Sequence, residues 1–164
     1  DAWDLVGLLN WNDSTIDEEI ELIRLGLKKD VYYHAFSFWD EKYLGKVRGT
    51  LTIRNMTAHS ASLLSIREFH PRPQIVSSTI HITQGAAEIE KSSWNSKTRT
   101  LDIALRHPGR RSGRLFIYAP LPFRFISVTP ENVKASHQKA DAGGSLVVIE
   151  LDFKQSANVS VKFQ

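Results

Sequence analysis

Apolar and polar residues alternate along most of this chain with a period of two, the spacing that puts successive side chains on opposite faces of a strand. Trp3 to Trp11 is an apolar run closed by Asn12-Asp13-Ser14, a cluster that favours turns. Val31 to Trp39 is rich in aromatic and β-branched residues. Gly45 and Gly49 bracket a short turn or strand pair, and Thr50 to Ile53 alternates after them. Ser60 to Phe69 has Leu64, Ile66 and Glu68 on one face and Leu63, Ser65 and Arg67 on the other. Beyond residue 74 the pattern predicts strands at Ile75–Ile82, Ala86–Trp94, Thr100–Arg106, Gly113–Ala119, Phe123–Val128, Val133–His137, Ser145–Phe153 and Asn158–Phe163. Turn signals separate them: Asn95-Ser96-Lys97, Pro108-Gly109, Pro120 with Pro122, Pro130-Glu131-Asn132 and Asp141-Ala142-Gly143-Gly144.

One segment carries two periods. Ile16, Ile20, Ile23 and Leu27 have helical spacing, and Asp17-Glu18-Glu19 suits a helix N-terminus. Ile20, Leu22 and Arg24 alternate as in a half-buried strand. The density of strands on either side favours strand for Asp17 to Leu27.

Two prolines two residues apart, in His70-Pro71-Arg72-Pro73, cannot both pair inside a sheet and prefer stiff extended backbone. They divide the chain into residues 1–69, a linker at 70–74, and residues 75–164. Short strands spaced by turns at this density predict antiparallel β-sandwiches, so the fold class is all-β, the second domain immunoglobulin-like.

Length and composition agree. The 164 residues fit one large domain or two small ones. Small units bury a smaller share of their unfolded surface, so each gains by packing on the other. No apolar run approaches the roughly 18 residues of a membrane helix, and no membrane partner is expected. No signal peptide opens the chain. There is no initiator Met, and strand-like sequence begins almost at once, which reads as a region cut from a longer protein.

Cysteine is absent, which excludes disulfides and thiolate metal sites but leaves the compartment open. A secreted or periplasmic location is compatible with it. Asn-x-Ser/Thr triplets occur at Asn12, Asn55 and Asn158, a pattern common by chance. Residues 1–70 carry eight Lys+Arg against eleven Asp+Glu, a balance of −3, while residues 71–164 carry thirteen against seven, +6. The asymmetry fits two modules with different surfaces.

Three separated stretches of the first domain resemble one family. Trp3-Asp4-Leu5-Val6-Gly7-Leu8-Leu9-Asn10-Trp11-Asn12-Asp13, Phe36-Ser37-Phe38-Trp39-Asp40-Glu41-Lys42-Tyr43-Leu44-Gly45 and Ala58-His59-Ser60-Ala61-Ser62-Leu63-Leu64-Ser65-Ile66-Arg67 resemble the C-terminal β-domain of α-galactosidase-like glycoside hydrolases, the clan that includes melibiases. The run from His70 to Gly85 resembles the junction of its multidomain members. Residues 95–164 carry no such motif. The resemblance implies a (β/α)₈ catalytic barrel elsewhere in the parent protein as the partner, with the reacting carboxylates on it. No catalytic residue is carried over to this chain, and it is not expected to be an enzyme itself.

The residues offer few candidates for chemistry of their own. Asp17, Glu18, Glu19 and Glu21 form an acidic run and Asp40-Glu41 a pair, but neighbours on a strand point to opposite faces and read as a solvated edge or turn. The histidines at 34, 59, 70, 81, 107 and 137 show no metal-ligand spacing, so neither metal nor other cofactor is expected. His81, between Ile80 and Ile82, reads as a half-exposed strand residue. Aromatics are the sharper candidates, because sugar rings stack on flat exposed faces. Tyr43, Trp94, Trp39 and Trp11 lie near predicted turns and are the candidate carbohydrate-binding residues. Packing competes with that role for all of them, most strongly for Trp11 and Trp39. The basic run Arg106-His107-Pro108-Gly109-Arg110-Arg111-Ser112-Gly113-Arg114 reads as a solvated hairpin tip. It could touch phosphates or acidic glycans, but no aromatic interleaves it as single-strand nucleic-acid platforms require, so no nucleic-acid partner is expected.

The expectation is a non-catalytic accessory region that covers and stabilises a glycoside hydrolase barrel. The alternatives are a carbohydrate-binding module, which would expose a strip of aromatics, and a structural or adhesion sandwich.

Overall fold

A computed structural model describes residues 3–130, 134–141 and 143–164, with side chains for all of these except 137–141. Apart from one 3-10 turn the regular structure is β, and every strand pair is antiparallel. The chain forms two compact units, Asp1–Phe69 and His70–Gln164.

The first unit contains β1 (Asp4–Asn10), β2 (Ile16–Glu21), β3 (Tyr33–Ser37), β4 (Lys42–Val47), β5 (Thr50–Met56) and β6 (Ser60–Glu68). One sheet has the order β1-β6-β3-β4, and β2 and β5 form a second, two-stranded sheet. Register places Val6 opposite Leu64 and Ala35 opposite Ile66, so alternate residues line one face. These four side chains join Ile20 of β2 and Leu51 of β5 in one hydrophobic core. Each large aliphatic group buried there contributes about 1.5–3 kcal/mol.

The segment with two periods uses both in succession. β2 runs as a strand to Glu21, and Leu22–Leu25 then makes a 3-10 turn. Gly26, at φ 80°, ends the turn: its N–H donates to the Ile23 carbonyl (3.0 Å) and the Leu27 N–H donates to the Leu22 carbonyl (3.1 Å). The alternation at Ile16 and Ile20 thus belongs to the strand, while Leu22 is buried from the turn.

The second unit contains β7 (Gln74–Ser78), β8 (Ile89–Asn95), β9 (Thr100–Pro120), β10 (Phe125–Thr129), β11 (Lys134–Asp141) and β12 (Gly144–Phe163). The predicted breaks at Pro108-Gly109 and after Phe153 are not chain reversals. β9 is a single strand of 21 residues, paired along its length with β12, a single strand of 20. The turn signal is absorbed by a bulge: Arg106 pairs with Ser156 and Arg110 with Lys154, so His107, Pro108 and Gly109 face Gln155 alone. Gly109 at φ 88° and Gln155 at φ 72° take the left-handed backbone that the bulge requires. Pro108 is tolerated there because a bulge releases the N–H that a regular ladder would need.

On one side of the bulge β8 flanks β9 and β10 flanks β12; on the other side β7 flanks β9 and β11 flanks β12. Of the predicted strand at Val133–His137, residues 134–137 belong to β11, and Glu131, Asn132, Val133 and Ala142 lie outside the described residues.

Between β7 and β8 the chain leaves strand geometry over residues 79–88. Gln84 at φ 55° and Gly85 at φ 116° drive successive turns, with Ala86 N–H on the Thr83 carbonyl (3.1 Å) and Ile89 N–H on Gly85 (3.1 Å). The strands expected through Ile82 and from Ala86 are therefore shorter, and His81 lies in this turn segment rather than in a strand.

Candidate functional site

The four candidate aromatics fall into two pairs. Tyr43 of β4 donates or accepts through its hydroxyl at 2.8 Å from His34 Nδ1, its ring 5.7 Å from the imidazole. Trp94 of β8 stands in register with Leu101, which pairs with Val161 and through it with Val128, on the inner face of the sheet. Its indole meets Phe123 and Phe163 edge-on at 5.3 and 6.0 Å. Both residues are half-buried.

Trp11 and Trp39 are instead open to solvent, 76% and 58% exposed, where packing was the stronger expectation. Trp11 follows the last residue of β1, in a turn organised by Asn10. The Asn10 amide donates to the carbonyls of Ser14 (2.9 Å), Met56 (3.0 Å) and Thr57 (2.9 Å), and its oxygen accepts from Asn12 N–H (3.0 Å). Asn10 is thereby buried, and the next residue, Trp11, faces solvent. Trp39 occupies the β3–β4 turn, closed by the Ser37 hydroxyl on Asp40 Oδ2 (2.6 Å), and touches only the edge of Phe38 among the ring contacts described.

The acidic run lies along β2, with Glu18 half-buried and Glu19 exposed on the opposite face. Asp17 accepts the Asn55 N–H (2.8 Å) and pairs loosely with Arg54 (3.4 Å). No group of three metal-ligating side chains occurs among the described residues. Among them, too, no helix is long and apolar enough to cross a membrane.

The basic run is a built surface rather than a hairpin tip. It spans the middle of β9, where pairing with β12 fixes its side chains. Arg110 grips Asp152 through two bonds, Nε to Oδ1 at 2.9 Å and Nη2 to Oδ2 at 2.6 Å. That hydrogen bond and the adjacent charges hold the Asp152 carboxyl below, and the Arg110 guanidinium above, their ordinary values. Arg106 reaches Glu90 at 3.7 Å. Arg111 donates its Nε to His107 Nε2 at 3.2 Å. His107 Nδ1, 2.9 Å from the Pro108 carbonyl, then carries the ring proton.

The bulge opens a groove of about 910 Å³. β9 supplies Arg106, His107 and Pro108, β12 supplies Gln155 and Ser156, and Ala87 and Glu90 form the wall. The wall is tied down by Arg106 N–H on the Glu88 carbonyl (2.9 Å). Behind it runs a buried polar chain: Ser77 Oγ donates to Gln84 Oε1 (2.9 Å), and Thr83 Oγ1 donates to Glu88 Oε2 (3.2 Å). Gln84 and Glu88 are both fully buried. Each keeps one buried atom without a hydrogen-bond partner, Gln84 Nε2 and Glu88 Oε1, so the two bonds orient the turn segment but only partly offset the cost of burying these groups. The sequence hid the groove, because its residues come from β8, β9, β12 and the turn before β8.

No protein-family model matches this chain, and no curated protein matches it.

Proposed function

We propose that this chain is the non-catalytic C-terminal region of an α-galactosidase-like glycoside hydrolase, its second unit an immunoglobulin-like sandwich. Its role is to cover and stabilise the catalytic barrel. The observation that carries the reading is the edge strand β1. Leu5 and Leu9 point to the same face, 40% and 61% exposed, and Trp11 follows them at 76%. A row of large apolar side chains on an unpaired sheet edge is a surface built to be covered. The three stretches that resemble the family include this strand.

The test uses the parent polypeptide beside the present chain. Leu5→Asp with Leu9→Asp shortens the half-life of aryl α-galactoside hydrolysis on heating the parent, and leaves the melting temperature of the isolated chain unchanged. A parent indifferent to the double substitution defeats the reading, as does turnover of the same substrate by the isolated chain.

A second reading, a carbohydrate-binding module, is favoured by the exposure of Trp11 and Trp39. It predicts retention on an insoluble polysaccharide that is lost in Trp11→Ala or Trp39→Ala.

A further inference from the structure

We propose that the groove at the β9–β12 bulge binds an acidic saccharide, a polyhydroxylated ligand carrying a carboxylate. This goes beyond the covering role argued above and stands or falls separately from it.

Charge is the first ground. Arg106 and Glu90 line the groove and Arg111 borders it through its bond to His107, while Arg110 and Asp152 pair with each other outside the lining. Asp152 is fully engaged by the bidentate grip of Arg110. Glu90 lies 3.7 Å from Arg106, with both side chains more than half exposed, too loose a pair to neutralise the site. Arg111 has no acidic partner among the described residues, and its Nε is bonded to the groove-lining His107. Its two terminal nitrogens remain available for a planar anion, and the Nε bond fixes the plane they lie in. A guanidinium held in that way is matched to a carboxylate.

The lining is the second ground. Gln155 and Ser156 offer an amide and a hydroxyl, and Glu90 offers an acceptor, the mixed donor and acceptor set that hydroxyl groups satisfy. Ala87 and Pro108 give small apolar surfaces for the C–H face of a ring. The volume falls in the range of pre-formed ligand sites. Among the described residues no Phe, Tyr or Trp lines the groove, and the one aromatic ring in the lining, His107, is held by Arg111 and the Pro108 carbonyl.

Rigidity is the third ground. The groove is set by a doubly paired ribbon, with Gln155 held at φ 72° and the wall anchored by the buried Ser77–Gln84 and Thr83–Glu88 bonds. A site that exists before its ligand arrives loses less entropy on binding.

The experiment is calorimetric titration of the whole chain at fixed low salt with three probes: tetragalacturonate, cellotetraose and inorganic phosphate. Saturable binding is expected for tetragalacturonate alone. Arg111→Gln weakens it by about tenfold, the loss of one charge-assisted contact. Arg111 is exposed, so the melting temperature is expected to stay unchanged, and Arg106→Gln serves as a second variant should it not. The proposal is overturned by an absence of tetragalacturonate binding, by binding that both variants leave intact, or by equal binding of cellotetraose. Phosphate binding that equals tetragalacturonate and falls with it in Arg111→Gln makes this a simple anion site and overturns the saccharide assignment.

Discussion

Trp94 and Phe123 pack edge to face, with ring centroids 5.3 Å apart and planes at 84°. Phe163 closes the same indole from a second side at 6.0 Å. Trp94 thereby joins β8 to the end of β12 and to the segment before β10. Trp94→Ala is expected to cost about 3 kcal/mol in urea unfolding, in the range for truncating a packed aromatic. Trp11→Ala, at an exposed site, is expected to stay within about 0.5 kcal/mol of the unsubstituted chain. Equal costs for the two would contradict the packing described.

Asn10 is almost fully buried, and its amide serves three backbone carbonyls at once. Asn10→Ala deprives all of them of a donor at the end of β1. Each buried group left unpaired costs about 1–3 kcal/mol, though water can reach the partly exposed ones. Asn10→Asp is expected to be as harmful as Asn10→Ala, since a carboxylate cannot donate to carbonyls. Recovery of full stability in the Asp variant, measured by thermal melting at neutral pH, refutes this account.

What the sequence made legible was local. Alternation sorted β6 into two faces because a two-residue period needs no knowledge of the partner strand, but it did not show that Ser65 and Arg67 are buried on one as Leu64 and Ile66 are on the other. It was ambiguous at residues 16–27, where a strand and a 3-10 turn abut and their periods overlap. It misread Pro108-Gly109 as a chain reversal. A bulge uses the same residues as a turn, and only the matching Gln155 in β12, nearly fifty residues along the chain, distinguishes them. The exposure of the tryptophans was likewise hidden: the sequence does not say which of the neighbours Asn10 and Trp11 faces the interior, and it is Asn10 that is buried and hydrogen-bonded there.

The bidentate pair of Arg110 and Asp152 gives a defined acid response. The hydrogen bond from Arg110 holds the folded Asp152 carboxyl below its ordinary value; desolvation opposes it, and the Arg110 charge adds a smaller lowering. The unfolded chain therefore binds a proton at this residue at higher pH than the folded one. The contribution to stability is complete above the unfolded carboxylate value of about 4 and is lost as pH falls through the folded value. Melting temperatures of the unsubstituted chain and Asp152→Asn, taken from neutral pH downwards, are expected to converge only in that acid range. A gap that widens on acidification has the wrong sign for this pair. Both groups are exposed, so added salt is expected to narrow the gap at neutral pH.

Two glycines in strands separate close packing from mere flexibility. A Cβ on Gly113 would lie 2.8 Å from the backbone nitrogen and 2.9 Å from the Cα of Ile80. Those atoms cannot swing aside as a side-chain tip could, since Ile80 N–H is bonded to Ser78 Oγ (3.1 Å) and Ile80 is buried. A Cβ on Gly7, in β1, would meet nothing within 4 Å. Gly113→Ala must push the β7–β8 segment off β9, at about 1–3 kcal/mol for a forced overpacking. Gly7→Ala leaves the fold unstrained and restricts the unfolded chain, which is expected to stabilise by about 0.4–1 kcal/mol. Urea unfolding of the two variants therefore shifts in opposite directions. If Gly113→Ala is as stable as Gly7→Ala, then β9 does not approach Ile80 closely, and the wall of the groove is not held where the structure places it.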